Sequence, residues 1–229
     1  SFADRATSKT GDFNGLSGPA ETADFDEYVR QSLLRNPHVL VEVFELLENK
    51  EQEYAELADK DLIERHANVL FGDEEYNAPV IVEFFDYNCA YCKQAHIELE
   101  AIRSMDVDLP ILKMHLPILG EGSLELAKNM LAVRNLYGEQ AYDEMHSRLM
   151  EDTGRLKASI QVEFRNLGYD IEKISEIASG AAVQAEIEES QSLARELGIG
   201  GTPAFVTRNK IFRGYVRRSE LINAAISNE

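Results

Sequence analysis

The strongest constraint on the fold lies between residues 79 and 92. Pro79-Val80-Ile81-Val82-Glu83-Phe84-Phe85-Asp86 is apolar almost without interruption, which is the pattern of a central strand covered on both faces. After Tyr87-Asn88 comes Cys89-Ala90-Tyr91-Cys92, and then a helical stretch from Lys93 to about Ser104. Pro110-Ile111-Leu112-Lys113-Met114-His115-Leu116 reads as a second strand. A strand therefore delivers two cysteines to the start of a helix, and the helix crosses to a further strand in a β–α–β unit.

The dithiol carries the chemistry. The N–H groups and positive dipole end of the helix favour a thiolate at the first cysteine, which becomes the attacking or leaving sulfur. Cys92, one turn further on, is placed to resolve a mixed disulfide by intramolecular attack. These are the chain's two cysteines, so a disulfide-stapled scaffold and a four-cysteine zinc site are both excluded. A smaller zinc site needs two further ligands, and the five histidines are scattered with no second CxxC and no HxxxH. Phosphate loops, Ser/His/Asp triads and paired catalytic carboxylates lack supporting context. Gly198-Ile199-Gly200-Gly201 follows a helix, whereas a dinucleotide loop follows a strand.

Charge narrows the partners. Against 23 Lys and Arg stand 41 Asp and Glu, a net charge of −18. Nucleic acid and anionic membrane surfaces, which reward clustered cations, are poor main partners for such a chain. No apolar run reaches the ~18 residues of a membrane span. The first residue is Ser, and the residues that follow it do not read as a basic-plus-apolar leader. The expectation is a mature, processed chain or a trimmed one, so the compartment is left to the chemistry.

Along the chain, residues 1–22 lack periodicity and large apolar groups and read as a flexible tail. Residues 23–75 read as two helices, the first from about Asp24 to Leu34 and the second from Pro37 to about Phe71. Leu40, Val43, Phe44, Leu47, Tyr54, Leu57, Ala58 and Leu62 recur at three- and four-residue spacing. Residues 1–75 hold 18 acidic and 7 basic groups, or −11 of the total. This acidic helical element is expected to be an arm that buries its stripe against a copy of itself, giving a dimer or trimer. Residues 76–229 are expected to form the body. Helices occupy about 123–198, Ala204–Arg208 and Ile211–Tyr215 are strands, and Ser219 caps a last helix. The fold class is α/β.

Three segments taken together resemble the thioredoxin superfamily, in its DsbA-like branch of exported disulfide oxidoreductases. They are Val82 to Cys92, Leu116-Pro117-Ile118-Leu119-Gly120 with Ser123 after it, and Gly198-Ile199-Gly200-Gly201-Thr202-Pro203-Ala204-Phe205. The resemblance covers about residues 78–229, and the acidic helical extension is similar to that of the ScsC-type subgroup. It implies a thioredoxin-like fold with an inserted helical domain and an N-terminal helical extension that mediates oligomerisation. It implies that Pro203 is cis and packs against the CxxC, with the Thr202 backbone offered to an extended substrate. It also gives Glu83 a role, as a buried acid beneath the CxxC that accepts or relays the Cys92 proton; read from the residues alone, Glu83 equally fits a hydrated strand edge. Lys113 on the neighbouring strand is a candidate partner for Glu83. His96 reads as a packed or solvent-facing histidine, and His115 as a structural one.

The branch's familiar Pro-His between the cysteines is replaced here by Ala90-Tyr91. Tyrosine supplies no imidazolium charge to a thiolate, so a less oxidising couple is expected. The expected activity is thiol–disulfide exchange on cysteine-containing exported proteins in a bacterial periplasm, leaning to isomerase or reductase. Cys89 and Cys92 carry the redox equivalents with no organic cofactor and no metal, and a membrane or periplasmic protein resets them. The competing readings are a dedicated disulfide oxidase, a Cu(I)-handling protein that uses the same thiolates, and a non-catalytic adaptor with an acidic arm.

Overall fold

A computed structural model describes residues 22–72, 79–105, 107–152 and 160–227. The expected tail, apart from residue 22, and the expected domain start at 76–78 lie outside the described residues. The chain divides into two units, 1–54 and 55–229.

The first unit holds α1 (Thr22–Arg35) and the N-terminal part of α2 (His38–Arg65). Pro37 stands immediately before α2, where its missing N–H costs no helical bond. Phe25, Tyr28, Leu34, Leu40, Phe44, Leu47 and Tyr54 are all exposed.

The second unit is built on β1 (Ile81–Phe85), whose five residues are all buried. Around it lie β2 (Ile111–His115), β3 (Ala204–Val206) and β4 (Ile211–Arg213), in the order β2-β1-β3-β4. The β1–β2 pair is parallel, and β1–β3 and β3–β4 are antiparallel. Strand periodicity splits β1 between two layers. Ile81 packs with Ala95, Leu99 and Ile102 of α4 (Ala90–Arg103) and Leu221 of α9 (Arg218–Ile226). Val82 and Phe84 pack on the other side with Leu193 of α8 (Ala181–Glu196) and with Leu70 and Phe71 of α3 (Ala67–Phe71). Arg217 holds the N-cap position of α9, so Ser219 lies inside that helix and does not cap it.

Between β2 and β3 run α5 (Glu121–Glu151), α6 (Ile160–Asn166), α7 (Ile171–Ala178) and α8. α5 is broken at Gly138, where φ is 85°, a conformation that an L side chain strains to adopt. Met130, Val133, Met145 and Leu149 of α5 form one core with Phe85, Tyr87 and both cysteines.

The core of the second unit also takes in side chains from the end of the expected 23–75 arm. Ile63, near the end of α2, and Leu70 and Phe71 of α3 belong to the buried core beneath the sheet. The expected single helix to Phe71 is interrupted at His66, and that break lets α3 turn its apolar side inward. A further clasp holds α2. The Arg213 guanidinium donates to both Asp59 carboxylate oxygens at 2.9 and 2.7 Å, and also to the Leu197 and Gly198 carbonyls.

Removing residues 1–54 should therefore leave a cooperatively folding protein, whereas removing 1–75 should not. The longer deletion strips Ile63, Leu70 and Phe71 from the core. At ~1.5–3 kcal/mol per buried side chain that loss is comparable to the whole stability of a typical domain. Urea unfolding of the two truncations checks this, and equal midpoints would contradict it.

Candidate active site

Cys89 stands at the N-cap of α4, with the extended backbone (φ −81°, ψ 119°) usual there. The first turn of α4 presents N–H groups that lack intrahelical acceptors, so the positive end of the helix lies at this sulfur. Cys89 is 7 % exposed and Cys92 fully buried, and both are free thiols. The Cys89 thiol donates to the Thr202 carbonyl at 3.1 Å, joining residues 113 apart in sequence. The Thr202–Pro203 peptide bond is cis. Cys89, Cys92, Thr202 and Pro203 are thus brought to one place.

Asp86 holds the loops around them. One carboxylate oxygen accepts from the Asn88 backbone N–H at 2.7 Å. The other accepts from the Ile118 and Leu119 N–H groups at 2.9 and 3.0 Å. Asn88 in turn donates its side-chain amide to the Ser123 hydroxyl at 2.8 Å. The backbone of Ile118 and Leu119, whose side chains are exposed, is thereby fastened to Asp86, three residues before Cys89, and Tyr91 is exposed in the first turn of α4.

Glu83 occupies the middle of the central strand and is 1 % exposed, which removes the alternative of a hydrated edge. It shares the α4 face of the sheet with Ile81 and Phe85. Burial raises its carboxyl to about 8, against the partly offsetting attraction of Lys113 and Arg103. Burial also pushes the Cys92 thiol up, and the nearby Cys89 and Glu83 push it further. Lys113 lies opposite Glu83 in the parallel register, but its ammonium bonds to Asp143, so the expected ion pair is replaced by a longer-range interaction.

Sequence reasoning missed a buried aromatic and imidazole cluster beside the thiols. The Tyr87 hydroxyl meets His146 Nδ1 at 3.1 Å, and the Tyr142 hydroxyl meets His115 Nε2 at 3.0 Å. The rings of His96 and His146 lie 5.4 Å apart, and among the described residues His96 Nε2 has no hydrogen-bond partner. Burial holds His115 down at about 3 and His146 well below the usual histidine range, with Lys113 adding to both. His96 is lowered as well, mainly by burial. The cluster is therefore uncharged at neutral pH. The sequence carried no signal for it, because Tyr87 and His146 are 59 residues apart. Among the described residues no group of three or more His, Cys, Asp and Glu is arranged to hold a metal ion. Two thiols at a helix end with a buried carboxyl nearby are equipped for disulfide exchange.

Residues 80–225 match the DSBA-like thioredoxin domain. The chain belongs to this family. It is 34 % identical to a thioredoxin-like oxidoreductase from Silicibacter pomeroyi DSS-3, over 69 % of this chain and 94 % of that one, with a TM-score of 0.61. It is 27 % identical to the thiol-disulfide exchange protein alpha-DsbA2 from Wolbachia pipientis, over 74 % and 95 % of the two chains, with a TM-score of 0.64. A linker-deletion mutant of Proteus mirabilis ScsC matches at 26 % identity over 92 % of this chain and 97 % of its own, with a TM-score of 0.64. Curated proteins yield no match. The fold is thioredoxin-like, with helices between β2 and β3 and ahead of β1, and the family's chemistry is thiol–disulfide exchange.

Protonation of Glu83 links the site to stability. A carboxyl near its ordinary 4.5 when unfolded and near 8 when folded binds its proton more tightly in the native state. Native stability from this group is undiminished below pH 4.5, falls as pH rises to 8, and is constant above that. Glu83→Gln should therefore gain stability over the unsubstituted protein as pH rises across this window, by an amount on the order of a few kcal/mol at pH 8. Urea unfolding at pH 5 and pH 8 measures it, and an equal difference at both would contradict the buried-acid assignment.

Proposed function

We propose that this protein is an extracytoplasmic thiol–disulfide oxidoreductase of protein substrates, working as an isomerase or reductase in a bacterial periplasm. The observation that carries this reading is the Cys89 thiol at the start of α4, 3.1 Å from the Thr202 carbonyl, with Cys92 buried behind it. The Cys89 thiolate attacks a substrate disulfide. A Cys89–substrate mixed disulfide forms and the other substrate sulfur leaves as a thiolate. Once Cys89 has lost its S–H, the Thr202 carbonyl is available to a backbone N–H of the substrate. Exposed Tyr91, Ile118 and Leu119 offer apolar contact to an unfolded chain.

Two exits follow. In isomerisation the freed substrate thiolate attacks elsewhere in its own chain, and Cys89 is regenerated with no net electron transfer. In reduction Cys92 attacks Cys89 Sγ and expels the substrate thiol, leaving Cys89–Cys92 oxidised for a membrane or periplasmic redox partner to reset. Glu83 takes the Cys92 proton in this step, and Pro203 and Thr202 hold the substrate segment. The lean towards isomerase rests on the exposed apolar residues of the first unit, which favour self-association of the helices into a homo-oligomer with several sites. No helix among the described residues is long and apolar enough to cross a membrane.

Alkylation of the reduced protein at mildly acidic pH should modify Cys89 and spare Cys92. Cys92→Ser should accumulate mixed disulfides with substrate, and Cys89→Ser should abolish exchange. Preferential labelling of Cys92 would overturn the assignment of roles.

Light scattering on the full chain should show an oligomer that tightens with salt, because screening weakens the repulsion among arms carrying the −11 of residues 1–75. A monomer at every salt concentration would remove the support for isomerase and favour a monomeric oxidase or reductase.

A further inference from the structure

Lys113 has an acid on either side and bonds only one of them. The parallel register sets Lys113 beside Glu83, and paired residues of neighbouring strands leave the sheet on the same face. The Lys113 ammonium nevertheless donates to Oδ1 of Asp143 on α5 and lies 5.3 Å over the Tyr142 ring. Among the described residues Oε1 of Glu83 finds no hydrogen-bond partner. The lysine side chain is 10 % exposed and that of Asp143 49 % exposed. A cleft of about 610 Å³ beside them, lined by Arg103, Lys113, Tyr142 and Asp143, opens this pair to water.

We propose that Asp143, supplied by the helices between β2 and β3, is a positioning residue that holds the Lys113 ammonium off Glu83 and so sets the pH at which Glu83 takes the Cys92 proton. The hold over Glu83 rests on geometry, while its consequence for catalysis rests on the reading of Glu83 given above. The groups around Glu83 are Lys113 on β2, Cys92, Glu100 and Arg103 on α4, Tyr87 after β1 and Tyr142 on α5. Arg103 is paired with Glu100 at 2.8 Å, and Lys113 is the cation that Asp143 holds. A cation in contact with a carboxylate lowers its proton affinity by roughly 1–3 pH units, and one drawn away does so less. With Lys113 held by Asp143, desolvation prevails and Glu83 stays protonated near neutrality.

In the closing step Cys92 Sγ attacks Cys89 Sγ and the Cys89–Cys92 bond forms. The substrate sulfur leaves with the bonding pair, and the Cys92 proton moves to a Glu83 carboxylate. That carboxylate must first be present, and Asp143 governs how much of it there is at a given pH.

The test uses the full chain, reduced, with Asp143→Asn, Asp143→Glu, Lys113→Met and the double variant Lys113→Met/Asp143→Asn. Carbon-13 NMR of glutamate-labelled protein, assigned with Glu83→Gln, follows the Glu83 carboxyl through its titration. Rapid-quench release of a small aromatic thiol from its mixed disulfide with Cys89 follows closure as a function of pH. Asp143→Asn should lower the Glu83 midpoint by about one pH unit and carry the closure profile down with it. Asp143→Glu should keep both near the starting values, and Asp143→Asn should have no effect when Lys113 is Met.

An unmoved midpoint in folded Asp143→Asn would overturn the proposal. So would the same shift in the absence of Lys113, because Asp143 would then act only as a distant charge. A shifted midpoint with an unshifted closure profile would uphold the hold of Asp143 over Glu83 and overturn instead the role of Glu83 as the Cys92 acceptor. Should Asp143→Asn fail to fold, Asp143→Ala removes the same carboxylate and makes the same comparison.

Discussion

The two-sided burial of β1 is the constraint on which the rest of the second unit depends. With β2 on one edge, β3 on the other and helices over both faces, the strand has no wet side on which a polar residue can stand. Its C-terminal end is the place where the chain can turn outward, and there it enters α4 with Cys89 at the cap. The same arrangement puts Glu83 two residues back on the α4 face, beneath the thiols. A helix end that favours negative charge at Cys89 and a dry core that disfavours it at Glu83 and Cys92 follow from one piece of packing.

Desolvation outweighs the charges nearby. Lys113 and Arg103 both attract a Glu83 carboxylate, yet burial leaves the acid near 8. An ionised carboxylate buried in an apolar strand costs more than a distant cation returns, so it takes up a proton. The imidazoles obey the same rule with the opposite sign. His96, His115 and His146 are all lowered by burial, and surrounding cations lower them further. A neutral cluster beside the thiols avoids adding buried charge next to sulfurs that must change their own.

The two units handle apolar surface differently. In the second, Ile63, Leu70 and Phe71 close the core on the side of the sheet away from α4, and the Arg213–Asp59 clasp holds the C-terminal part of α2 there. In the first, Phe25, Leu40, Phe44 and Leu47 are exposed. Helices are held in proteins chiefly by packing of an apolar face, and in this unit that face is exposed.

Local physics made much of this legible in the sequence. The apolar run fixed β1, the change of period fixed α4, and two thiols at a helix start fixed the chemistry, because each depends on neighbours within a few residues. The quoted motifs were sufficient to associate Thr202-Pro203 with the cysteines. Side-chain partners across long separations were not legible. Nothing in the spacing shows that Lys113 meets Asp143 30 residues on, that Tyr87 meets His146, or that Asp59 meets Arg213 154 residues away. Whether Glu83 faced water or a core was equally open, because a single acid within an apolar run fits a hydrated edge as well as a buried site. Those outcomes are settled by which elements pack together, and packing decides how much water each charge keeps.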